Sequence, residues 1–564
     1  MSPNSLFSSS RMKLKAGFVS CSLLLVVAML LTACGGGTTP ASNKTHTLVL
    51  AGISAPITSA GFNPYSANAV PDLGGFVYEP LFFAGEETGT WTPLLGTSHS
   101  FSPDGTQVTV SLRTGVEWND GQPFSADDVA FTFNAMKQYP ASDLWGVDSL
   151  LKSVTATDKN TVVFTFNKPA YVSFDTVGGS VFIIPKHIFD GQGDITKVTV
   201  DPTKSVGTGP MLVDSWSADL MTMKKNPKFY NASSVKVDVI KLPVYKANTD
   251  FQEAMNSNQA DWASYFEQGL QQSYVDPDKA HHHYWMAPVD EVGVFMDIRD
   301  NKTLQDVNVR KALSLAIDRT AWAQQGEDGL VPASTQTGLL DTAGNKPYQL
   351  SDYANLSTKT QADQAKQVLQ QDGYTLDSNG YFAKNGQELS FSYITVAGWT
   401  DWNAASQADQ QNLKAAGIKI TINSMQQADY MTLRTNAGKY DLMQSAVAGG
   451  AHSAYDIYYG TLDSASIPPA GRNSSYWNDP QTNAYLSDLG STNDATKMAT
   501  DIEGLEKIMV NDVPWIPTIA GARWFEYSTT NFTGWPSASN PYATGATYQA
   551  PDNEIVLQHL VPTN

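Results

Sequence analysis

The most informative stretch of the chain runs from Leu94 to Lys137 and reads LLGTSHSFSPDGTQVTVSLRTGVEWNDGQPFSADDVAFTFNAMK. Ser102-Pro103-Asp104-Gly105 predicts a turn, because proline presets φ and Asp-Gly tolerates the positive φ of a tight reversal. From Val108 to Leu112 apolar and polar residues alternate, which is typical of a half-buried strand. Ser125 predicts a helix N-cap, and Asp128 completes a capping box. The stretch therefore predicts a β-hairpin followed by a helix.

Several short motifs in and beyond this stretch resemble those of solute-binding protein family 5, the ligand-capturing subunits of ABC importers for peptides, nickel and oligosaccharides. They read LRTGV at 112–116, DGQPF at 120–124, ADDV at 126–129, VGTGP at 206–210 and VRKALSLAIDR at 309–319. The resemblance extends over nearly the whole chain. It implies an α/β, periplasmic-binding-protein-like fold of type II, with two lobes, a hinge between them and an extra subdomain in lobe I.

The resemblance also implies a division of the chain in which lobe I is interrupted by lobe II. In order, we expect a signal peptide (1–33), a lipidated cysteine with a flexible tether (34–45), the first segment of lobe I (46–91), the extra subdomain (92–200), the second segment of lobe I (201–289), lobe II (290–512) and a C-terminal return to lobe I (513–564).

The N-terminal segment predicts export and lipid anchoring. A basic region ending at Lys15 precedes an apolar run from Gly17 to Leu31, and Leu31-Thr32-Ala33-Cys34 matches a lipobox, in which cleavage before Cys34 precedes its acylation. The alternative is an uncleaved membrane anchor, for which the apolar run is short. We expect the body to lie outside the cytoplasm, tethered to the periplasmic or cell-surface face of the membrane.

Composition narrows the function classes. The 564 residues favour two or three domains, and the aromatic content of 11% favours a folded body. The only cysteines, Cys21 and Cys34, lie in the presequence, so the body has no disulfide or thiol nucleophile. A formal charge of −19 is a poor match to nucleic acid or an anionic surface. We expect a monomer without a cofactor.

No enzyme motif is present: the sequence lacks HExxH, GxSxG, GxxxxGK[ST] and a GxGxxG after a strand. Carboxylates are plentiful, yet nothing singles out a catalytic pair. The tract His281-His282-His283 is the one metal-like feature. Adjacent residues of an extended chain alternate faces, so the tract favours a solvated loop over a metal site. Nickel binding, known in the family, stays a minor alternative.

One segment predicts where a ligand binds. Gly398-Trp399-Thr400-Asp401-Trp402-Asn403 follows a predicted strand (391–396) and precedes a predicted helix. Ligands of α/β sheets bind at such carboxyl ends. We expect Trp399 and Trp402 to stack on sugar rings, and Asp401 and Asn403 to bond hydroxyls. The alternative is that both tryptophans fill the core.

A second segment, Gly534 to Tyr542 (GWPSASNPY), also contains a candidate tryptophan. Both segments resemble elements of the oligosaccharide-binding branch of family 5, typified by cellobiose-binding proteins. We assign Trp535 and Asn63 to the ligand site as well, although a core position is the favoured alternative for Trp535.

The resulting hypothesis is a lipoprotein that delivers a short oligosaccharide to ABC permease subunits. The runner-up is an oligopeptide-binding subunit. Peptide-binding members of the family carry a W-x-x-D-Y-like segment in lobe II, whereas Val447 to Asp456 lacks the tryptophan and places Asp456 a few residues late. A third class is a receptor or chaperone-like lipoprotein without transport.

Overall fold

The predicted hairpin and helix are confirmed in the computed structural model, which describes residues 44–53, 56–66, 69–70, 72–144, 146–245, 247–342, 344–447, 453–469 and 471–563. Gly96–Phe101 pairs with Gln107–Leu112 in antiparallel fashion. The backbone N–H of Ser125 donates to Asp128 Oδ2 at 2.9 Å, and the helix Ala126–Gln138 begins there. The predicted signal peptide, the lipidation site Cys34 and most of the tether lie outside the described residues.

The strands of the described chain are between two and ten residues long. In sequence order they are β1 (Thr47–Ala51), β2 (Phe82–Ala84), β3 (Trp91–Pro93), β4 (Gly96–Phe101), β5 (Gln107–Leu112), β6 (Leu151–Asp158), β7 (Thr161–Phe166), β8 (Met211–Trp216), β9 (Leu220–Lys225), β10 (Val239–Pro243), β11 (Trp262–Ala263), β12 (His282–Tyr284), β13 (Ala287–Met296), β14 (Thr375–Leu376), β15 (Phe382–Lys384), β16 (Gln387–Glu388), β17 (Ser390–Val396), β18 (Lys419–Met425), β19 (Leu442–Val447), β20 (Trp515–Arg523), β21 (Glu526–Ser528), β22 (Phe532–Thr533) and β23 (Val561–Pro562).

The α-helices alternate with these strands. They are α1 (Leu73–Phe76), α2 (Ala126–Gln138), α3 (Phe174–Gly179), α4 (Lys186–Phe189), α5 (Asn248–Asn256), α6 (Lys302–Gln305), α7 (Val307–Ala316), α8 (Arg319–Gly326), α9 (Ala362–Gln371), α10 (Thr400–Ala415), α11 (Gln427–Thr435), α12 (Ala454–Leu462), α13 (Pro480–Leu489), α14 (Ala495–Asp512) and α15 (Asp552–His559). None of the described helices is both long enough and apolar enough to cross a membrane.

Two large mixed sheets define the two lobes. Lobe I is built on a seven-stranded sheet in the order β12-β21-β11-β1-β10-β9-β8, and lobe II on a five-stranded sheet in the order β18-β17-β19-β13-β20. A separate four-stranded sheet, β4-β5-β7-β6, lies within the range 92–200 expected for the extra subdomain. The helix α2 packs on it, and Val108 and Val110 are fully buried beneath.

The chain crosses between the lobes twice, over two short segments. It leaves the lobe I sheet after β12 and enters the lobe II sheet at β13, so residues 285–286 form the first crossing. It returns after β20 and re-enters lobe I at β21, so residues 524–525 form the second. The chain therefore returns to lobe I about ten residues later than the expected position, 513. The reason is that β20 pairs with β13 of the lobe II sheet, from Phe295↔Trp515 to Ala287↔Arg523.

The family-like motifs are structural elements in this fold. In VGTGP, a Cβ on Gly207 would lie 2.0 Å from the carbonyl oxygen of Val77, so only glycine allows this backbone approach. Just before VRKALSLAIDR, Asp306 Oδ1 accepts from Asn308 N at 2.9 Å and starts α7, the helix that contains most of the motif. One apolar face of that helix and its C-cap is buried in the core of lobe II; its members are Val309, Ala312, Leu313, Ala316 and Ile317.

Candidate functional site

A cavity of about 400 Å³ lies between the two lobes. Lobe I contributes Phe266, which follows β11, and lobe II contributes Trp399 at the end of β17. The wall also contains three carboxyl side chains and two further tryptophans; these are Asp290, Glu327, Asp401, Trp402 and Trp524. The structure therefore brings three of the predicted site residues, Trp399, Asp401 and Trp402, to one interlobe cavity.

The turn between β17 and α10 positions Trp399. The side-chain amide of Asn403 donates to the carbonyl oxygen of Val396 at 2.8 Å and also to that of Trp399. Its Oδ1 accepts from Ser424 Oγ at 3.0 Å. The side chain of Asn403 thus forms its hydrogen bonds within the protein. It stabilises the turn and does not line the cavity.

The two predicted tryptophans differ in exposure. Trp402 is only 5% exposed, whereas Trp399 is half-buried. Their rings meet edge to face, with centroids 4.7 Å apart, and Tyr430 lies behind both. Edge-to-face packing of this kind fixes ring orientation. Trp402 therefore packs in the core and also borders the cavity, so both alternatives hold in part for this residue. Trp399 has the larger ring area accessible to a solute.

A second aromatic pair comes from distant parts of the sequence. Trp524, in the second crossing, contacts Phe266 edge to face at a centroid distance of 5.1 Å. Asn248 Nδ2 donates to the backbone oxygen of Phe266 at 3.1 Å and fastens it to the start of α5. Sequence reasoning missed all three residues, because they join Trp399 only through the tertiary fold.

The carboxyl groups of the cavity have unusual surroundings. Burial raises the pKa of Asp401, although backbone N–H groups in the first turn of α10 oppose this shift. Burial raises the pKa of Glu327 to about 8, and the nearby charges of Asp401 and Asp328 add to the effect. Asp290 accepts a hydrogen bond from Arg523 at 3.2 Å. The cavity therefore combines aromatic rings with a few carboxyl groups, a lining typical of small-molecule sites.

The remaining predicted site residues lie elsewhere. Trp535 is 6% exposed and packs in lobe I against Trp262 and Tyr527, with centroid distances of 5.6 Å and 5.4 Å. Asn63 is 1% exposed; its amide donates to Ile195 O at 2.7 Å and its Oδ1 accepts from Tyr65 N at 3.0 Å. Neither side chain lines the interlobe cavity, so both are structural residues of lobe I.

The histidine tract is not a solvated loop. His282 lies in β12, is 2% exposed, stacks on Tyr274 at 4.3 Å and bonds the Tyr274 carbonyl oxygen at 2.9 Å. The neighbouring His281 is exposed and pairs with Asp278. Successive histidines of the tract do point to opposite faces of the chain, as expected, and the middle one, His282, points into the core. Across the described ranges, no group of three or more His, Cys, Asp or Glu side chains is arranged to hold a metal ion.

Two further cavities lie where lobe II faces lobe I. One, of about 290 Å³, contains Asp456 of α12 beside Glu86 and Asp552 of lobe I. The other, of about 250 Å³, lies between the extra subdomain and the tyrosines Tyr455 and Tyr459, whose rings stack at 5.2 Å. Some of the segment weighed for peptide recognition, 448–452, lies outside the described residues, and Asp456 lines a different cavity from Trp399.

Two α/β lobes joined by two chain crossings around a cavity define a substrate-binding protein of the periplasmic-binding-protein type. The profile of the bacterial extracellular solute-binding proteins, family 5, matches residues 90–468. The chain belongs to this family and is the substrate-binding protein of an ABC importer. Members of the family bind their ligands and are not enzymes.

Individual relatives bind different solutes. The oligopeptide-binding protein AppA of Bacillus subtilis is 22% identical over 89% of this chain and 92% of its own length, and OppA of Lactococcus lactis is 26% identical over 70% of each. A periplasmic oligopeptide-binding protein of Thermotoga maritima has a TM-score of 0.83 at 24% identity, covering 93% of this chain and all of its own. A structure of that protein with mannohexaose bound has a TM-score of 0.76, at the same identity and coverage.

Proposed function

We propose that this chain captures a short, neutral oligosaccharide between its lobes and delivers it to the permease of an ABC importer. The observation that carries the proposal is the interlobe cavity, in which Trp399, Phe266 and Trp524 lie with the carboxyls of Asp401 and Glu327. Aromatic faces pack against the C–H surfaces of sugar rings, and carboxyl groups bond their hydroxyls. A β-linked glucan or mannan fragment fits this chemistry.

The neighbouring cavities support a ligand longer than a disaccharide. The stacked Tyr455 and Tyr459 offer a further aromatic surface, and Asp456 with Glu86 offers further hydroxyl partners. The mannohexaose bound to the Thermotoga relative is a solute of this length. We infer that sugar units beyond those held at Trp399 extend along the boundary between the lobes.

An oligopeptide is the second candidate, favoured by the oligopeptide-binding function for which the Bacillus and Lactococcus relatives are named. The carboxyl groups of Asp290, Asp401 and Glu327 offer partners for a peptide amino group. Against this candidate, the raised pKa of Glu327 favours its neutral form, which attracts an ammonium group less strongly. Nickel uptake stays a minor alternative, because no group of three or more His, Cys, Asp or Glu side chains among the described residues is arranged to hold a metal ion. No observation favours a receptor or chaperone-like role without transport.

The cellular setting follows from the sequence and the family. We propose that a lipid on Cys34 anchors the chain outside the cytoplasm, and that the glycine-rich segment after it serves as a tether that lets a monomeric body reach the permease. Incorporation of labelled palmitate by the wild-type chain, lost in Cys34→Ser, tests the anchor independently of the ligand.

Intrinsic tryptophan fluorescence tests the ligand class. Because three tryptophans line the cavity, cellotetraose or mannotetraose should shift the emission with saturable dependence on concentration. A mixture of di- to pentapeptides at the same concentration should leave it unchanged. A saturable response to peptides alone would overturn the oligosaccharide proposal and favour the second candidate.

A further inference from the structure

Glu327 lies beside Asp401 because two helices approach each other closely. Glu327 immediately follows α8, which packs against α10. A Cβ on Gly326 would lie 3.3 Å from the backbone oxygen of Asp401 and 3.3 Å from Ala405 Cβ. The absence of a side chain at Gly326 therefore lets the end of α8 reach the first turn of α10, and it brings Glu327 to the wall of the interlobe cavity.

The carboxyl group of Glu327 is buried, and one of its two oxygens is unpaired among the described residues. The residue is 5% exposed, and its Oε2 has no hydrogen-bond partner within the described residues of the chain. Buried polar atoms are nearly always paired in folded proteins, so an orphan atom at a cavity wall suggests a partner that the protein itself does not supply. Glu327 thus lines the cavity with one carboxyl oxygen that can still form a hydrogen bond.

The groups that face Glu327 favour its protonated form. Asp401 lies on α10, Asp290 on β13, and Asp328 is its chain neighbour, whose Oδ2 accepts from Gly269 N at 2.6 Å. No Lys or Arg is among the described residues that line this cavity. Burial raises the pKa of Glu327 to about 8, and the charges of Asp401 and Asp328 add to this effect. A protonated carboxyl has one donor and one acceptor, as a sugar hydroxyl does.

We propose that Glu327 is a specificity-determining residue that binds the solute directly, donating from a protonated carboxyl to one hydroxyl oxygen and accepting from a second hydroxyl. This inference rests on the proposed function and deepens it. A neutral carboxyl pairs well with a hydroxylated, uncharged solute and poorly with an ammonium group, so Glu327 selects neutral oligosaccharides over amino sugars and peptide amino ends.

Two substitutions separate hydrogen bonding from charge. Glu327→Gln keeps a donor and an acceptor of similar shape, so the Kd for mannotetraose or cellotetraose, measured by calorimetry, should stay within about threefold of the wild-type value. Glu327→Leu removes both, and the Kd should rise about tenfold or more. The matched control is Glu506→Gln, which changes a buried glutamate of α14 that lies outside this cavity. Like Glu327, Glu506 has a raised pKa, of about 7, and one carboxyl oxygen, Oε1, that is unpaired among the described residues.

A pH profile keeps the proposal testable if the leucine variant fails to fold. Wild-type affinity for the neutral sugar should fall as pH rises from 7 to 9, because Glu327 loses its donor, and Glu327→Gln should show a flat profile. Identical profiles, or unchanged affinity in a folded Glu327→Leu, would overturn this inference alone. A wild-type chain that binds no oligosaccharide would overturn the proposed function and the inference together.

Discussion

Trp399 and Trp402 lie edge to face at 4.7 Å, three residues apart across the start of α10, and the partly exposed member of the pair borders the interlobe cavity. The buried ring of Trp402 fixes the exposed ring of Trp399 in place. An aromatic surface held rigidly in this way loses little entropy when a flat sugar face packs against it. The pair is therefore the physical basis of the ligand assignment.

The first prediction concerns Trp399 itself. Trp399→Ala should raise the Kd for mannotetraose or cellotetraose about tenfold, because ring stacking contributes about 0.5–1.5 kcal/mol beyond the area that it buries. Calorimetric titration measures this. The control is Trp216→Ala, which removes a half-buried tryptophan of lobe I at the end of β8. Equal affinity of the Trp399→Ala and wild-type chains would remove Trp399 from the site.

A second prediction concerns lobe closure. The Arg523 guanidinium lies 3.2 Å from Asp290 in lobe II and 3.7 Å from Glu86 in lobe I, so it links the lobes beside the second crossing. Arg523→Gln should favour an open form and weaken sugar binding about fivefold or more, since some of the binding energy must then close the lobes. Small-angle X-ray scattering should show a larger radius of gyration without sugar.

The matched control for closure is Arg299→Gln. Arg299 pairs with Asp297 and donates to the backbone oxygens of Ala437 and Gly438, all within lobe II. Its loss should lower stability without changing the radius of gyration. If both variants scatter as the wild-type chain does, the Arg523 link does not control closure.

The third prediction assigns the first arginine of VRKALSLAIDR to stability. Arg310 is 5% exposed and donates to four backbone oxygens, those of Leu304, Gln305, Asp512 and Val513, so it joins α6, α7 and the segment before β20. Arg310→Leu leaves these buried carbonyls unpaired and should lower the free energy of unfolding by at least about 3 kcal/mol.

Urea denaturation measures this change, with Lys311→Gln at the adjacent position as the control. Sugar affinity of the folded Arg310→Leu chain should stay at the wild-type value, because the residue does not line the interlobe cavity. A stability loss no larger than that of the control would contradict the structural role.

The fourth prediction is a pH dependence of stability. Asp409 of α10 is fully buried, accepts hydrogen bonds from Tyr393 and Trp322, and has its pKa raised to about 7 by burial. Between the unfolded-state pKa near 3.8 and the folded-state pKa near 7, the folded chain holds a proton on Asp409 that the unfolded chain releases. The stabilisation from Asp409 is therefore complete below about pH 4 and is lost as pH rises through 7.

Each tenfold change in a protonation equilibrium corresponds to about 1.4 kcal/mol, so a pKa raised from 3.8 to about 7 makes the loss from Asp409 between pH 4 and pH 8 on the order of 4 kcal/mol. Asp409→Asn keeps an acceptor for Tyr393 and cannot ionise. Its Tm should thus fall less than the wild-type Tm over this range. Parallel curves of Tm against pH would show that Asp409 does not titrate as its burial implies.

Local chemistry in the sequence predicted much of the fold. The Ser102–Gly105 turn, the Ser125–Asp128 capping box and the strand before Gly398 all depend on neighbours within a few residues, and all are present. The crossings were harder to locate, because β20 is assigned to lobe II by its pairing with β13, more than 200 residues earlier.

The site was only partly predictable for the same reason. The tryptophans at 399 and 402 follow a strand end, which sequence reveals, whereas Phe266, Glu327 and Trp524 reach the cavity from three separate segments. Trp535 and His282 illustrate the converse. The sequence suggests ligand contact for Trp535, with a core position as the favoured alternative, and a solvated loop for His282. The packing of Tyr527 and Tyr274 against these two side chains buries both.

The most direct test of the central claim is a thermal-shift measurement on residues 45–564 with cello-, manno- and xylo-oligosaccharides, beside di- to pentapeptides. A solute present at 100 times its Kd should add about 2.7 kcal/mol to the free energy of unfolding. We predict that at least one oligosaccharide series raises Tm and that no peptide does. A rise with peptides alone would contradict the account and make the second candidate the function of this cavity.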